Sequence, residues 1–118
     1  MFSSAKRNYR TSPGKIVRSK VFSKFNGLCG YCGMKQATVI DHIQPCISGG
    51  KSNEENLMPS CASCNNYKHS WSLEEFRLNI SLQIERSRKT SLGFRLCERF
   101  GLIEVINRPI IFHFEKSK

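Results

Sequence analysis

No run in the 118-residue sequence approaches the roughly 18 to 20 apolar residues that a membrane-crossing helix needs, which argues against a spanning segment. Acid is scarce as well: nine Asp and Glu stand against nineteen Lys and Arg, a formal net charge of +10. That deficit speaks against a partner recognised through an acidic face. It suits a polyphosphate, whose affinity falls steeply as salt rises. Only 39% of the residues are hydrophobic, so a small domain here buries little core of its own and needs further stabilisation. The basic stretch Met1 to Lys15 lacks the apolar segment of a signal peptide, so a soluble, cytoplasmic protein is expected, in the host cell's cytoplasm if the chain is phage-encoded.

Cysteine, by contrast, is plentiful. Four of the six fall in two C-x-x-C pairs, Cys29 with Cys32 and Cys61 with Cys64, separated by 28 residues. Two thiolates three positions apart reach one ion from a tight turn, so in a reducing compartment this spacing points to tetrahedral zinc rather than to disulfides. Structural zinc supplies about 10 to 16 kcal/mol of apparent binding free energy, comparable to the whole stability of a domain. The ion would clamp the ends of the segment between the pairs. Cys46 and Cys97 are left over and read as small buried or half-buried hydrophobes.

Residues 1–12 are polar and basic and read as a mobile arm, and residues 13–118 as a single domain with a core over about 29–69 and an extension over 72–118. Ser12 as cap and Pro13 at the first position open a helix that Asn26-Gly27 ends. Ala37 to Ile40 and Leu57 to Pro59 are strand candidates joined by the flexible loop containing Ser48-Gly49-Gly50-Lys51-Ser52-Asn53. A short helix over Ala62 to His69 follows. Ser72 with Glu75 forms a capping box, and Trp71 with Phe76 a hydrophobic staple, for a helix running to about Arg86. Another spans Leu92 to Phe100. The tail, Leu102 to Ile106 and Ile110 to Phe114 around Asn107-Arg108-Pro109, reads as a terminal β-hairpin.

Asp41-His42 closes the first strand candidate. A carboxylate that holds a metal and a neutral imidazole so placed can address one phosphodiester, whose hydrolysis needs an activated water and a cation on the developing charge. Asn65, one residue past Cys64, offers an amide oxygen that can complete a hard-cation site with Asp41. With a single protein carboxylate that site would be weak and would take magnesium, or manganese in its place, with DNA supplying ligands. Lys68 and Arg77 are the leading DNA-contact candidates.

Over Cys29 to Lys68 these residues resemble the HNH, or ββα-metal (His-Me finger), nucleases. The resemblance rests on both Cys-x-x-Cys pairs, Val39-Ile40-Asp41-His42-Ile43, Gly49-Gly50, Asn53, Asn56-Leu57, and Asn65 and Lys68 after Cys64. It implies an α+β fold, a zinc-stabilised, treble-clef-like ββα-metal core with flanking helices. It also implies a metal-dependent DNA endonuclease with His42 as general base, Asn56 bracing the loop that aims His42, and Asp41 with the third-motif residue as metal ligands. That third residue is histidine in the founding pattern and Asn65 here, an H-N-N variant in which nickel or zinc should activate poorly. Glu74 to Arg77 and Arg99 to Val105 resemble the tail of small phage-type enzymes, with a homodimer or phage packaging proteins as further partners.

Overall fold

The computed structural model describes residues 14–116, which divide into two compact units, residues 14–73 with 111–116, and residues 74–110. The basic arm over residues 1–12, with Ser12 and Pro13, lies outside the described residues.

In the first unit α1 (Lys15–Ser23) leads to β1 (Val39–His42), two single 3-10 turns (Cys46–Ser48 and Glu54–Asn56), β2 (Leu57–Ser60) and α2 (Ala62–Lys68). In α1 Val21 is buried, whereas Ile16 stands exposed. Just beyond the helix, Lys24 Nζ donates to the carbonyls of Glu54 and Leu57, both at 2.9 Å, which anchors the turn before β2. β1 and β2 pair antiparallel in the register Val39 with Ser60, Ile40 with Pro59, Asp41 with Met58 and His42 with Leu57. All four β2 residues are buried, so this short strand is the floor of the unit. Pro59 has no amide to give, but its carbonyl accepts from Gly30 at 2.7 Å and ties β2 to the first cysteine turn.

The loop between the strands folds tightly on itself. Gly49 adopts φ 91°, and a Cβ on Gly50 would run into the carbonyl of Gln44, so the Gly49-Gly50 pair is set by backbone shape and by close approach.

The second unit contains most of α3 (Leu73–Ser81), then α4 (Gln83–Thr90) and α5 (Leu92–Arg99). The continuous helix expected up to Arg86 is thus broken at Leu82. Ser81 Oγ donates to the Leu78 carbonyl at 2.6 Å, sharing it with the Leu82 amide at 3.1 Å. Ser91 caps α5 by accepting from the Phe94 amide at 3.0 Å, and Arg88 grips the Glu98 carboxylate at 2.9 and 2.7 Å, tying α4 to α5.

The terminal hairpin does not form. Residues 103–112 contain no strand, and the chain ends, among the described residues, in α6 (His113–Lys116), part of the first unit. The backbone groups a hairpin would pair are committed elsewhere: the amides of His113 and Phe114 donate to Tyr31 and Gly30 carbonyls at 2.9 and 2.8 Å. The Phe112 amide bonds the Glu115 carboxylate at 2.9 Å. Phe112 and Phe114 stack on each other and meet the Tyr31 ring edge-on, with Phe112 only 2% exposed. The apolar alternation of the tail therefore records anchor residues for the first unit, not a sheet. No helix among the described residues is long and apolar enough to cross a membrane.

Candidate active site

The four paired cysteines converge. Their sulfurs lie within 4.8 Å of one another, and Cys32 Sγ stands 4.0 Å from Cys61 Sγ. A tetrahedron with Zn–S bonds of about 2.3 Å has edges of about 3.8 Å, so shifts of an ångström or less bring the four sulfurs to the spacing zinc needs. Amides already point at the sulfurs: those of Tyr31 and Cys32 at Cys29, Met34 at Cys32, and Cys64 at Cys61, at 3.4 to 3.5 Å. Such donors stabilise thiolates. A hydrogen bond from the Cys64 thiol draws Cys29 down to about 3, while Cys64 is pushed up by the same bond. Four thiols this close cannot all ionise unaided, and a divalent cation removes the conflict. Cys46 is exposed, not buried as expected, and Cys97 is half-buried.

His42 sits at the end of β1, half-buried, where its Nε2 lies 2.9 Å from Ser52 Oγ. The Ser52 loop is stapled by Asn56. The Asn56 side chain accepts from the Gln44 amide at 2.8 Å and donates to the carbonyls of Gln44 at 3.0 Å and Lys51 at 2.8 Å. Its backbone carbonyl takes the Ile43 amide at 2.9 Å, extending the β1–β2 pairing past His42. Burial, followed by the Lys68 charge, holds the His42 imidazole below its ordinary value, opposed by Asp41. Among the described residues its Nδ1 makes no hydrogen bond.

Asp41 faces the interior and is 8% exposed. Its Oδ2 accepts from the Tyr31 hydroxyl at 2.6 Å and pairs with Lys68 Nζ at 2.9 Å. Lys68 is fully buried and also donates to the His42 carbonyl at 2.9 Å. Burial and the Asp41 charge push the Tyr31 phenol well up, which keeps its proton in place as the donor. Asp41 Oδ1 has no hydrogen-bond partner among the described residues, and no buried side-chain polar atom there is unpartnered, so Oδ1 reaches the surface.

Residues 29–70 match the family model described as HNH endonuclease. The matched segment carries both cysteine pairs, β1, β2 and α2, so this part of the chain is similar to an HNH endonuclease domain. Neither the curated proteins nor the solved structures returned a match to the chain.

Within the matched segment the elements run β1, β2, α2, as a ββα arrangement requires, and the four cysteines fit the zinc-binding form of the HNH family. Asn65 lies in α2 on the face it shares with Lys68 three residues on. It is half-buried, its side-chain amide makes no hydrogen bond among the described residues, and it lines an open depression with Asn66, His69 and Ser70. The two residues singled out for DNA contact are placed differently from expectation. Lys68 is not at the surface at all, because its ammonium neutralises Asp41 in the interior. In the second unit, Arg77 grips Glu74 at 3.0 and 3.2 Å and the Ile110 carbonyl at 2.7 Å, leaving its guanidinium largely committed.

Two residues of the site carried no sequence signal of their role. Ser52 is one polar residue among several in a loop, and only the fold reveals that it meets His42. Tyr31 packs against Phe112 and Phe114, yet its hydroxyl reaches Asp41. A tyrosine between paired cysteines does not disclose where its hydroxyl ends.

Proposed function

We propose that the HNH domain is a metal-dependent DNA endonuclease in which His42 is the general base. The observation that carries this reading is the treatment of the two imidazole nitrogens: Nε2 is held by Ser52 on the Asn56-stapled loop, and Nδ1 has no partner among the described residues. Nε2–H donation to Ser52 puts the lone pair on Nδ1, the tautomer that accepts a proton from water. Burial keeps the ring in its neutral form. Water so activated attacks the phosphorus in line and yields 5′-phosphate and 3′-hydroxyl ends.

Asp41, through Oδ1, and Asn65, through its amide oxygen, would hold the catalytic cation, whose chemistry is to neutralise charge on the phosphate and the departing 3′ oxygen. Both are oxygen donors of low total charge, which suits magnesium or manganese over nickel or zinc. The cysteine cluster, closed by four sulfurs, holds zinc without an open coordination position and has a structural part only. With one such site per chain, each event cuts one strand, and double-strand cleavage takes two events or a second copy.

The test is nicking of supercoiled plasmid by zinc-loaded protein with magnesium or manganese. Wild type should nick, and His42→Ala should abolish nicking while zinc content and DNA binding survive. Wild-type protein with full zinc that nicks no DNA under these conditions would instead be a nucleic-acid-binding zinc module.

A further inference from the structure

The two zinc-clamped segments meet on one atom. Tyr31, between Cys29 and Cys32, sends its hydroxyl to Asp41 Oδ2 at 2.6 Å, and Lys68, four residues past Cys64, brings its ammonium to the same oxygen at 2.9 Å. The Asp41 carboxylate is thereby fixed by two donors on one side and open on the other. Neither donor is in the place of a packing accident. Tyr31 is 2% exposed with Phe112 and Phe114 edge-on to its ring, and Lys68 is fully buried, its ammonium also donating to the His42 carbonyl. A fully buried lysine is retained only where its charge is paired and hydrogen-bonded, so its presence calls for a function.

We propose that Tyr31 and Lys68 are positioning residues that restrict Asp41 to one-oxygen ligation and cancel its charge, so that the catalytic cation binds tightly only once DNA phosphate joins the site. The inference rests on the reading of Asp41 as a metal ligand. The two residues have opposite effects on the cation. Tyr31 fixes the rotamer that turns Oδ1 outward, and its loss lets the carboxylate swing. Lys68 is a like charge next to the cation's ligand, and its loss removes a competitor. DNA, with its own negative oxygens, restores the attraction that Lys68 has cancelled.

Manganese titration of zinc-loaded protein, followed by the electron paramagnetic resonance signal of free Mn²⁺, tests this with and without a short DNA duplex. Tyr31→Phe, which keeps the ring, should weaken manganese binding by about tenfold or more, the size of a lost hydrogen bond to a charged group. Lys68→Met should tighten binding in the absence of DNA by about tenfold, as expected for a unit charge removed several ångströms away. The wild-type gain in affinity on adding DNA should shrink in Lys68→Met. A structural role alone would lower zinc content or the melting temperature and move neither affinity at matched zinc occupancy.

Asp41→Asn separates the two levels. If it binds manganese as wild type does, Asp41 is not a ligand and the underlying reading falls. If it loses manganese while Tyr31→Phe and Lys68→Met both bind as wild type, the reading stands and the positioning inference is overturned. Should Lys68→Met fail to fold, Tyr31→Phe decides: an unchanged affinity overturns the proposal.

Discussion

The side-chain amide of Asn56 donates to the carbonyl of Lys51 at 2.8 Å, and through that bond it governs a residue it does not touch. Ser52 follows Lys51 directly and meets His42 Nε2 at 2.9 Å, so the aim of the imidazole depends on a loop that Asn56 staples at both Gln44 and Lys51.

Asn56→Ala removes three side-chain hydrogen bonds from a half-buried position and should cost about 1 to 3 kcal/mol in thermal denaturation. The activity loss should be larger than this. A general base displaced by an ångström loses about a hundredfold in single-turnover nicking. Ser52→Ala should leave stability near wild type and still slow nicking, since it deletes the contact without loosening the loop. Wild-type nicking by Asn56→Ala would mean that His42 is aimed by β1 alone.

Much of this architecture was legible in the sequence because local chemistry and tertiary packing agree there. The paired cysteines, the strand ending in Asp41-His42 and the helix after Cys61 appear where spacing and propensity put them. Agreement fails where an interior partner outbids local pattern. Lys68 looked like a surface cation because most lysines are, but Asp41 is within reach of the buried end of α2. The tail alternates like a strand, yet its amides are drawn to Tyr31 and Gly30. Periodicity reports which side chains want burial, not which backbone groups will pair.

The tail gives a quantitative contrast. Phe112 is 2% exposed against Tyr31, and Ile111 next to it is 50% exposed. Phe112→Ala should lower stability by about 3 to 5 kcal/mol, the range for deleting a buried aromatic ring. Ile111→Ala should stay within about 0.5 kcal/mol. A hairpin with one buried face could produce a large loss at Phe112 but would also place Val105 or Ile106 among the costly positions. Val105→Ala and Ile106→Ala are expected to be mild, with Ile106 60% exposed.

Removing zinc should be disruptive in a way that removing magnesium is not. Structural zinc contributes about 10 to 16 kcal/mol, as much as a whole small domain holds in reserve. A strong thiol-site chelator should therefore release one zinc per chain and abolish the near-ultraviolet circular dichroism of Tyr31, Tyr67 and Trp71, which lie in the first unit. Magnesium or manganese added back should restore neither fold nor nicking. Refolding with zinc should restore the fold, and nicking should return only when the second metal is also present. A chelated chain that stays folded would show the cysteine cluster to be dispensable.

With Lys68 and Arg77 engaged internally, the cations expected to grip DNA lie elsewhere, and the exposed ones of α1 are the candidates to test. Lys24 is spent on backbone carbonyls, Arg88 on Glu98, and Arg95 on the Arg88 carbonyl. Among the described residues no carboxylate pairs with the side chains of Lys15, Arg18 or Lys20, all of them exposed, and α1 has no acidic residue. The Arg18 guanidinium rests over the Phe22 ring at 5.5 Å, which limits the freedom it would lose on meeting a phosphate. Each phosphate contact contributes about 0.9 to the slope of log affinity against log salt on duplex DNA. Replacing Lys15, Arg18 and Lys20 together by alanine should thus flatten that slope by about two to three, weaken binding at low salt and have little effect at high salt. Arg88→Ala is the matched comparison: it removes one positive charge that is already paired, and should leave the slope near wild type. Equal slopes for the triple variant and wild type would mark α1 as a solvated face and move the search for the DNA grip to Lys35, Lys51 and the segments that flank them.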